Sequence, residues 1–271
     1  MITVNQQTCS QCGLCAAVCA ANIIVFKSGQ YPRELPGFDS ACLKCGHCVG
    51  ICPSASLTHQ NIPVEDCPPI KKELAISSAQ CEQFIRARRS IREYKNQPVE
   101  RDVIRQLIDI ARYAPSGHND QDVEWLVIDK KEDLLKIEKA GTEWIREAIV
   151  KQPRLSQVMN FPKMLERQEK EYNSFVRGAP VLIIAMAAKN RPMAATNCVI
   201  AMTTLELAAT SLGLGGCWAG FIAIMAASFP PVQEALGIPA DKAGYAHMML
   251  GYPQYQYSRL LARKSPNILW K

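Results

Sequence analysis

The sequence predicts an α+β protein of two domains, a small cysteine-rich one followed by a larger one with its own core. Three observations predict it. Eight of the twelve cysteines lie within the first 52 residues, in two runs of one spacing. The 271-residue length then leaves about two hundred residues, enough for a second core. Within that remainder, helically spaced apolar residues alternate with a few short apolar runs, without the regular βαβ rhythm of a parallel sheet.

The first run is Cys9, Cys12, Cys15 and Cys19, and the second is Cys42, Cys45, Cys48 and Cys52, followed by Pro53. Cys-x-x-Cys spacing lets three sulfurs from one loop converge on a [4Fe–4S] cubane, and the fourth ligand then comes from further away. Structural zinc and disulfide scaffolds also use paired cysteines, but zinc sites rarely use two identical four-cysteine runs and a disulfide framework would not repeat the spacing. Two [4Fe–4S] clusters are therefore expected. Residues 1–60 resemble the bacterial two-cluster ferredoxin, in which the distal cysteine of each run serves the other cluster. The resemblance implies one cluster on Cys9, Cys12, Cys15 and Cys52 and another on Cys42, Cys45, Cys48 and Cys19. Two departures stand out. Ala20 occupies the place of a proline, and residues 20–41, with Gly29, Pro32, Pro36 and Gly37, read as an enlarged loop.

The expected domains are residues 1–62, a linker at 63–78 and a second domain at 79–271. The linker carries Pro63, Pro68, Pro69 and the run Lys71, Lys72, Glu73. Ser77 with Gln80 three residues on forms a capping-box pattern, so a helix is expected from about 79 to 88. Pro98 at a first-turn position, with Val103, Ile104, Leu107, Ile108 and Ala111 at helical spacing, predicts a second helix that ends by Pro115. Residues 125–128, 180–188 and 246–251 read as strands; the middle one shows no polar face. A long helix is expected over 196–212, followed by a glycine-rich turn. The apolar stretch 198–229 is interrupted by Glu206 and by Gly213, Gly215 and Gly216, so no membrane span is expected. A cluster cysteine at position 9 leaves no room for an export leader, so the expected location is cytoplasmic.

Four features of the second domain carry chemistry. Arg88, Arg89, Ser90 and Arg92 offer guanidinium groups and a hydroxyl to a phosphate, although a basic run is also the commonest kind of solvated face. Residues 114–121 form a turn rich in hydrogen-bonding side chains, among them Ser116, His118, Asn119 and Gln121, whose plain reading is a capped loop. The third feature spans 212–221, where glycines could let the backbone approach a flat ring; their spacing is not that of a dinucleotide fold. The fourth is Gly251, Tyr252 and Pro253 followed by Arg259, Arg263 and Lys264, which could equally be a basic surface tail.

In this order and at these separations, the four features resemble the nitroreductase family of FMN-dependent flavoproteins over residues 84–271. The fold implied is a small ferredoxin-like two-cluster domain followed by an α+β nitroreductase-like FMN domain. The resemblance implies that Arg88, Arg89, Ser90 and Arg92 bind the FMN phosphate and ribityl chain, with Arg263 and Lys264 completing the phosphate site. It implies that Ser116, Asn119 and Gln121 reach the flavin from the partner subunit of a homodimer, a reading the apolar helix around Val199, Leu205 and Leu207 also favours. Ala219 and Gly220 match the pair whose backbone amides lie near flavin N5; some members carry glutamate at the first position, so any acid–base role of that side chain is absent here. Residues 153–176 read as a helical insertion beside the substrate pocket. Cys67, Cys81, Cys198 and Cys217 read as buried free thiols, with Cys217 singled out by its place next to the flavin turn.

The implied function is an FMN- and iron–sulfur-dependent oxidoreductase. Clusters move electrons singly and a flavin can deliver them in pairs, so the ferredoxin-like segment would load the flavin, which reduces a small conjugated acceptor such as a nitroaromatic, quinone or activated alkene. A ferredoxin or NAD(P)H is the expected electron donor, and no protein residue is identified as the general acid. The alternatives are an electron-carrier or flavin-storage protein and a specialised reductive dehalogenase-like flavoenzyme. The formal charge of +6 gives no argument for nucleic acid, because two clusters and a flavin phosphate at about −2 each would neutralise it.

Overall fold

The computed structural model describes residues 1–271 except Phe38 and Tyr172, together with all of Glu171 but its side chain. The chain divides into two compact units. Met1–Ile76 with His118–Asp120 form the first, and Ser77–Gly117 with Gln121–Lys271 form the second.

The first unit is an internal repeat. It contains β1 (Ile2–Val4), α1 (Leu14–Ala17), β2 (Ile24–Val25), β3 (Arg33–Glu34), α2 (His47–Gly50) and β4 (Leu57–His59). β1 pairs with β4 antiparallel, Thr3 opposite Thr58. Each one-turn helix follows the same backbone device: Gln11 and Lys44 are left-handed, at φ 54° and 50°, and Gly13 and Gly46 are left-handed at φ 74°. The match continues past the distal cysteines, where Asn22 and Ala55 are left-handed at φ 54° and 50° and close turns onto the Cys19 and Cys52 carbonyls. A non-glycine residue in this region is strained. The strain recurs at equivalent places relative to the cysteines of the two runs. Residues 20–41 are more than a loop: β2 and β3 form an antiparallel hairpin, Ile24 opposite Glu34. Phe38, within that segment, lies outside the described residues.

The second unit is a four-stranded antiparallel sheet covered on both faces. Its elements are α3 (Ser78–Ala87), α4 (Arg101–Ala111), β5 (Glu124–Ile128), α5 (Lys131–Lys151), α6 (Pro153–Met159), α7 (Phe161–Glu171), β6 (Val181–Ala188), α8 (Ala194–Ser211), β7 (Gly215–Trp218), α9 (Gly220–Ser228), α10 (Pro230–Leu236) and β8 (Lys242–Gly251). The strand order is β5, β6, β8, β7. Strand side chains alternate between faces, and here each face meets helices. Leu182, Ile184, Cys217 and Met249 enter one core with residues of α5, α7, α9 and α10. Val181, Ile183, Ala185, Met248 and Leu250 enter the other with residues of α4 and α8. That double cover explains why 181–184 carry no polar residue.

Most sequence-based bounds hold to within two residues, and three expectations change. α4 starts at Arg101 after an N-cap at Glu100, so Pro98 lies ahead of the helix and not in its first turn. Residues 215–218 are the edge strand β7, paired with β8, and not part of a turn. β8 begins at Lys242, earlier than expected, because its first residues pair with the end of β6. The capping box of α3 is present, with Gln80 N donating to Ser77 Oγ at 3.3 Å and Ser77 N to Gln80 Oε1 at 2.8 Å. Among the described residues, no helix is long and apolar enough to cross a membrane.

α5 stands outside the sequence-based expectations, although Leu134, Ile137, Trp144, Ile145 and Ala148 recur at helical spacing and are buried. It also buries a carboxylate. Glu138, 1% exposed, accepts from the amides of Phe175 at 3.1 Å and Val176 at 2.7 Å and from Gln168 Nε2 of α7 at 2.6 Å. Gly141 lies against the Phe175 ring, which would sit 2.5 Å from a Cβ there, so the loop before β6 is seated directly on α5.

Burial raises the Glu138 carboxyl to about 7, against the pull of those donors. A raised acid stabilises the fold fully below its unfolded value of 4.5 and loses that contribution as pH rises through about 7. Relative to Glu138→Gln, the wild-type protein should lose on the order of 3 kcal/mol between these limits. Denaturant melts of both proteins across the window test this; a constant difference would refute it.

Candidate functional site

The eight cysteines surround two cavities, and the division between them is crossed. One cavity is lined by Cys9, Cys12, Cys15 and Cys52, the other by Cys42, Cys45, Cys48 and Cys19. Each takes three sulfurs from one run and the distal sulfur from the other. No disulfide is formed. Among the described residues no three His, Cys, Asp or Glu side chains converge as they would on a single ion. Four sulfurs spread around a cavity suit the larger cubane.

The thiols differ in environment. Burial raises Cys48 to about 11, with Cys45 and Cys19 adding to the shift, and burial also raises Cys15. Burial acts on Cys52 too, but the Ser56 amide, 3.2 Å from its sulfur, and the Ser54 hydroxyl outweigh it and lower its pKa. At the other cavity, His59 Nε2 lies 3.6 Å from Cys42 Sγ. Its Nδ1 accepts from the Asn61 amide at 3.1 Å, which leaves the proton on Nε2, directed at the sulfur.

In the second unit the basic motif follows α3 and is fastened to the edge strand. Ile91 N donates to Gly216 O at 2.9 Å. A Cβ at Gly215 would lie 2.3 Å from the Ile91 side chain, and one at Gly216 2.6 Å from Met248 Sδ. Gly215 and Gly216 therefore admit neighbouring side chains. Arg88 Nη1 pairs with Glu206 Oε1 at 2.8 Å, and Trp218 Nε1 donates to Glu206 Oε2 at 3.1 Å. Arg89 stacks on Tyr257, 5.5 Å from the ring centre, and its buried Nε has no partner. Ser90 is half-buried and Arg92 exposed. Backbone bonds Gln254 N to Glu93 O at 3.0 Å and Lys95 N to Tyr252 O at 2.9 Å lay the start of the tail along the motif. Arg263 and Lys264, further along, are exposed and make no hydrogen bond or ion pair with a described residue.

Ala219 and Gly220 sit where β7 passes into α9. The Ala219 amide is committed to His247 O at 2.8 Å. Gly220, the first residue of α9, is exposed, and its amide makes no backbone hydrogen bond with a described residue outside its helix. Cys217 is buried, and burial raises its thiol against the lowering influence of Arg92 and Arg177. Cys198 is likewise buried, at about 12. Cys81, in contrast, is exposed and Cys67 half-buried, so only two of the four remaining cysteines fit the expectation of buried thiols.

Ser116 and Gln121 line a separate cavity with Arg112, Trp125 and Asn197, not the one that Arg92 and Phe221 line. Ser116 Oγ accepts from Gln121 N at 3.0 Å. His118, Asn119 and Gln121 are left-handed, at φ 53°, 57° and 48°, a strained run that needs external support. Asn197 of α8 supplies part of it: its Oδ1 accepts from Gly117 N at 3.0 Å and its Nδ2 donates to Asp122 at 2.8 Å. Asn119 groups with the first unit, where its amide donates to Lys44 O at 2.9 Å and Leu43 O at 3.3 Å. Asn197, Glu206, His59 and Glu138 are the site-building residues that sequence reasoning did not single out. A lone polar residue on an apolar helix was the available signal for the first two.

The Nitroreductase family matches residues 85–252, and a 4Fe-4S dicluster domain matches residues 8–57. A protein of Archaeoglobus fulgidus provisionally named NADH dehydrogenase/NAD(P)H nitroreductase is 26% identical over 175 residues, covering 65% of this chain and 86% of its own. A Bacteroides fragilis nitroreductase solved with bound FMN is 26% identical, at TM-score 0.53, over 69% of this chain and 94% of that one. A Desulfitobacterium hafniense nitroreductase with bound FMN has the same fold at 24% identity and TM-score 0.55, over 69% and 97%. The chain belongs to the nitroreductase family and carries an N-terminal 4Fe-4S dicluster domain.

Proposed function

We propose that the protein is an FMN- and iron–sulfur-dependent oxidoreductase in which clusters held by the first unit load a flavin held by the second, for reduction of a small conjugated acceptor. The observation that carries this reading is the crossed division of eight cysteines between two cavities, on a chain that otherwise belongs to the nitroreductase family. Cys9, Cys12, Cys15 and Cys52 would hold one cluster, and Cys42, Cys45, Cys48 and Cys19 the second. Bound FMN would supply the exchange between single electrons and electron pairs.

The residues of the second unit fit such a ligand. A buried guanidinium nitrogen without a partner is costly, and an anionic group beside Arg89 would relieve the orphaned Nε. Ser90 and Arg92 stand next to it, and the open Gly220 amide offers one hydrogen bond to a ring nitrogen, while Ala219 stays with His247. Arg88, held by Glu206, orients the motif as well as contributing charge. Arg263 and Lys264 would close the phosphate site from the tail.

A homodimer with FMN between subunits follows as part of the same reading. Ser116 and Gln121 face a cavity of their own within one protomer, which suits contact with a partner's flavin. Val199 on α8 and Leu260, Leu261, Leu269 and Trp270 in the tail are large apolar side chains left exposed, with Trp270 at 88%. A second copy would cover them.

Anaerobically purified protein should contain about eight iron and eight sulfide per chain; a content near four, or zinc in their place, would defeat the assignment. Cys45→Ser should slow reduction of the flavin by a ferredoxin donor while direct chemical reduction persists. Arg89→Ala should weaken FMN binding by roughly tenfold to a hundredfold, measured by fluorescence titration of the apoprotein, with the melting temperature retained. Sedimentation should show a dimer tightened by FMN; a monomer with full flavin affinity would rule out a shared site.

A further inference from the structure

Resting on the flavin reading above, we propose that the acceptor is an anion, a conjugated carboxylate held by Lys163, Arg167 and Arg177 in the cavity beside Arg92 and Phe221. The cavity measures about 360 Å³, at the small-molecule end of ligand sites. Phe221 follows Gly220 at the start of α9, so the cavity opens at the turn assigned to the flavin ring.

The charge there is out of balance. Arg92, Lys163, Arg167 and Arg177 all line the cavity, and among the described lining residues Glu93 is the one carboxylate. None of the four cations forms an ion pair with a described residue. The contrast lies within one helix. α7 pairs Lys170 with Glu166 at 2.7 Å, and its Glu169 with Arg146 of α5 at 2.9 Å. Lys163 and Arg167 lie one turn apart on the cavity side, where like charges repel. A solvated helix face normally intersperses both signs; here, among the described side chains, Lys163 and Arg167 are outside the pairs that α7 makes.

Arg177 is set in place by a costly arrangement. It is left-handed at φ 54°, followed by Gly178 at φ 68°. The residues before it are clamped by the buried Glu138 carboxylate, through the Phe175 and Val176 amides, and by Gln168 Oε1, which accepts from Ser174 N at 2.7 Å. A strained non-glycine residue persists only where its surroundings over-determine it. The clamp thus fixes the start of the residue that carries the guanidinium. Guanidinium pairs a carboxylate by two parallel bonds, and lysine adds a point charge. For a carboxylated quinone, bound FMNH2 would return to FMN by giving up two electrons and two protons, and the quinone would take up all four to become the hydroquinone with its carboxylate unchanged.

The test uses FMN-loaded holoprotein, reduced without oxygen, and two matched acceptors, nitrobenzene and 4-nitrobenzoate. The reading is the ratio of kcat/KM for the carboxylate to that for the neutral compound, in wild type, Lys163→Gln and Arg167→Gln. The wild-type ratio should exceed one and fall about tenfold in each variant, and by a similar factor in high salt, with FMN content unaltered. An equal ratio in all three proteins would overturn the proposal. Loss of FMN from the variants would also overturn it, by assigning these cations to the flavin phosphate. A wild-type protein that binds no FMN would instead sink the flavin reading on which the proposal stands.

Discussion

The second unit depends on one buried carboxylate. Glu206, 5% exposed in the middle of an apolar helix, takes Arg88 on one oxygen and the Trp218 indole on the other. A charge in that position is tolerable only when paired and hydrogen-bonded. The pairing joins the basic motif to α8 and the edge strand β7, more than a hundred residues further along the chain. Removing Glu206 would leave Arg88 without its partner and Trp218 N–H without an acceptor, and the register Ile91 to Gly216 would lose its lateral brace. The turn at Ala219 and Gly220 is therefore positioned by a contact made outside it.

A second constraint acts through glycine. Gly215 and Gly216 lie in a strand, where glycine is unfavourable. The cost is accepted because Ile91 and Met248 occupy the space that side chains would fill. The same residues carry the sequence signature that suggested a ring-binding turn. They also let the basic motif lie along the sheet edge, where Ile91 N donates to Gly216 O and Arg92 lines one cavity with Phe221 of α9.

Much of this was legible in the sequence. Cysteine spacing, the capping box and the unbroken apolar run at 181–184 each reflect a local rule, and the structure follows them. What was not legible depends on contacts across distance. β7 has only four residues and two glycines, so its strand character comes from pairing with β8 and not from propensity. Pro98 sits ahead of α4 because Glu100 is the first residue whose flanking backbone turns helical. The Ala219 amide is taken by His247 O, 28 residues downstream in β8, a choice that no motif encodes. Arg263 and Lys264 were singled out by a resemblance, and in the structure both are exposed and make no hydrogen bond or ion pair with a described residue.

The first unit poses a different problem of stability. Among the described residues its buried apolar set is Cys15, Ile23, Ile24, Val49 and Leu57, and one of these is itself a cluster ligand in the proposed reading. A core of that size does not by itself hold a unit of this length. Its backbone is strained at paired positions of the repeat, Gln11 with Lys44 and Asn22 with Ala55, and strain of that kind requires compensation. In the proposed reading metal–thiolate bonding would provide it, since a group that binds only the folded chain contributes its binding energy to folding. The crossed sharing of Cys19 and Cys52 matters here more than the number of ligands. Each cluster would tie both halves of the repeat, so neither half could come apart without breaking bonds to both clusters.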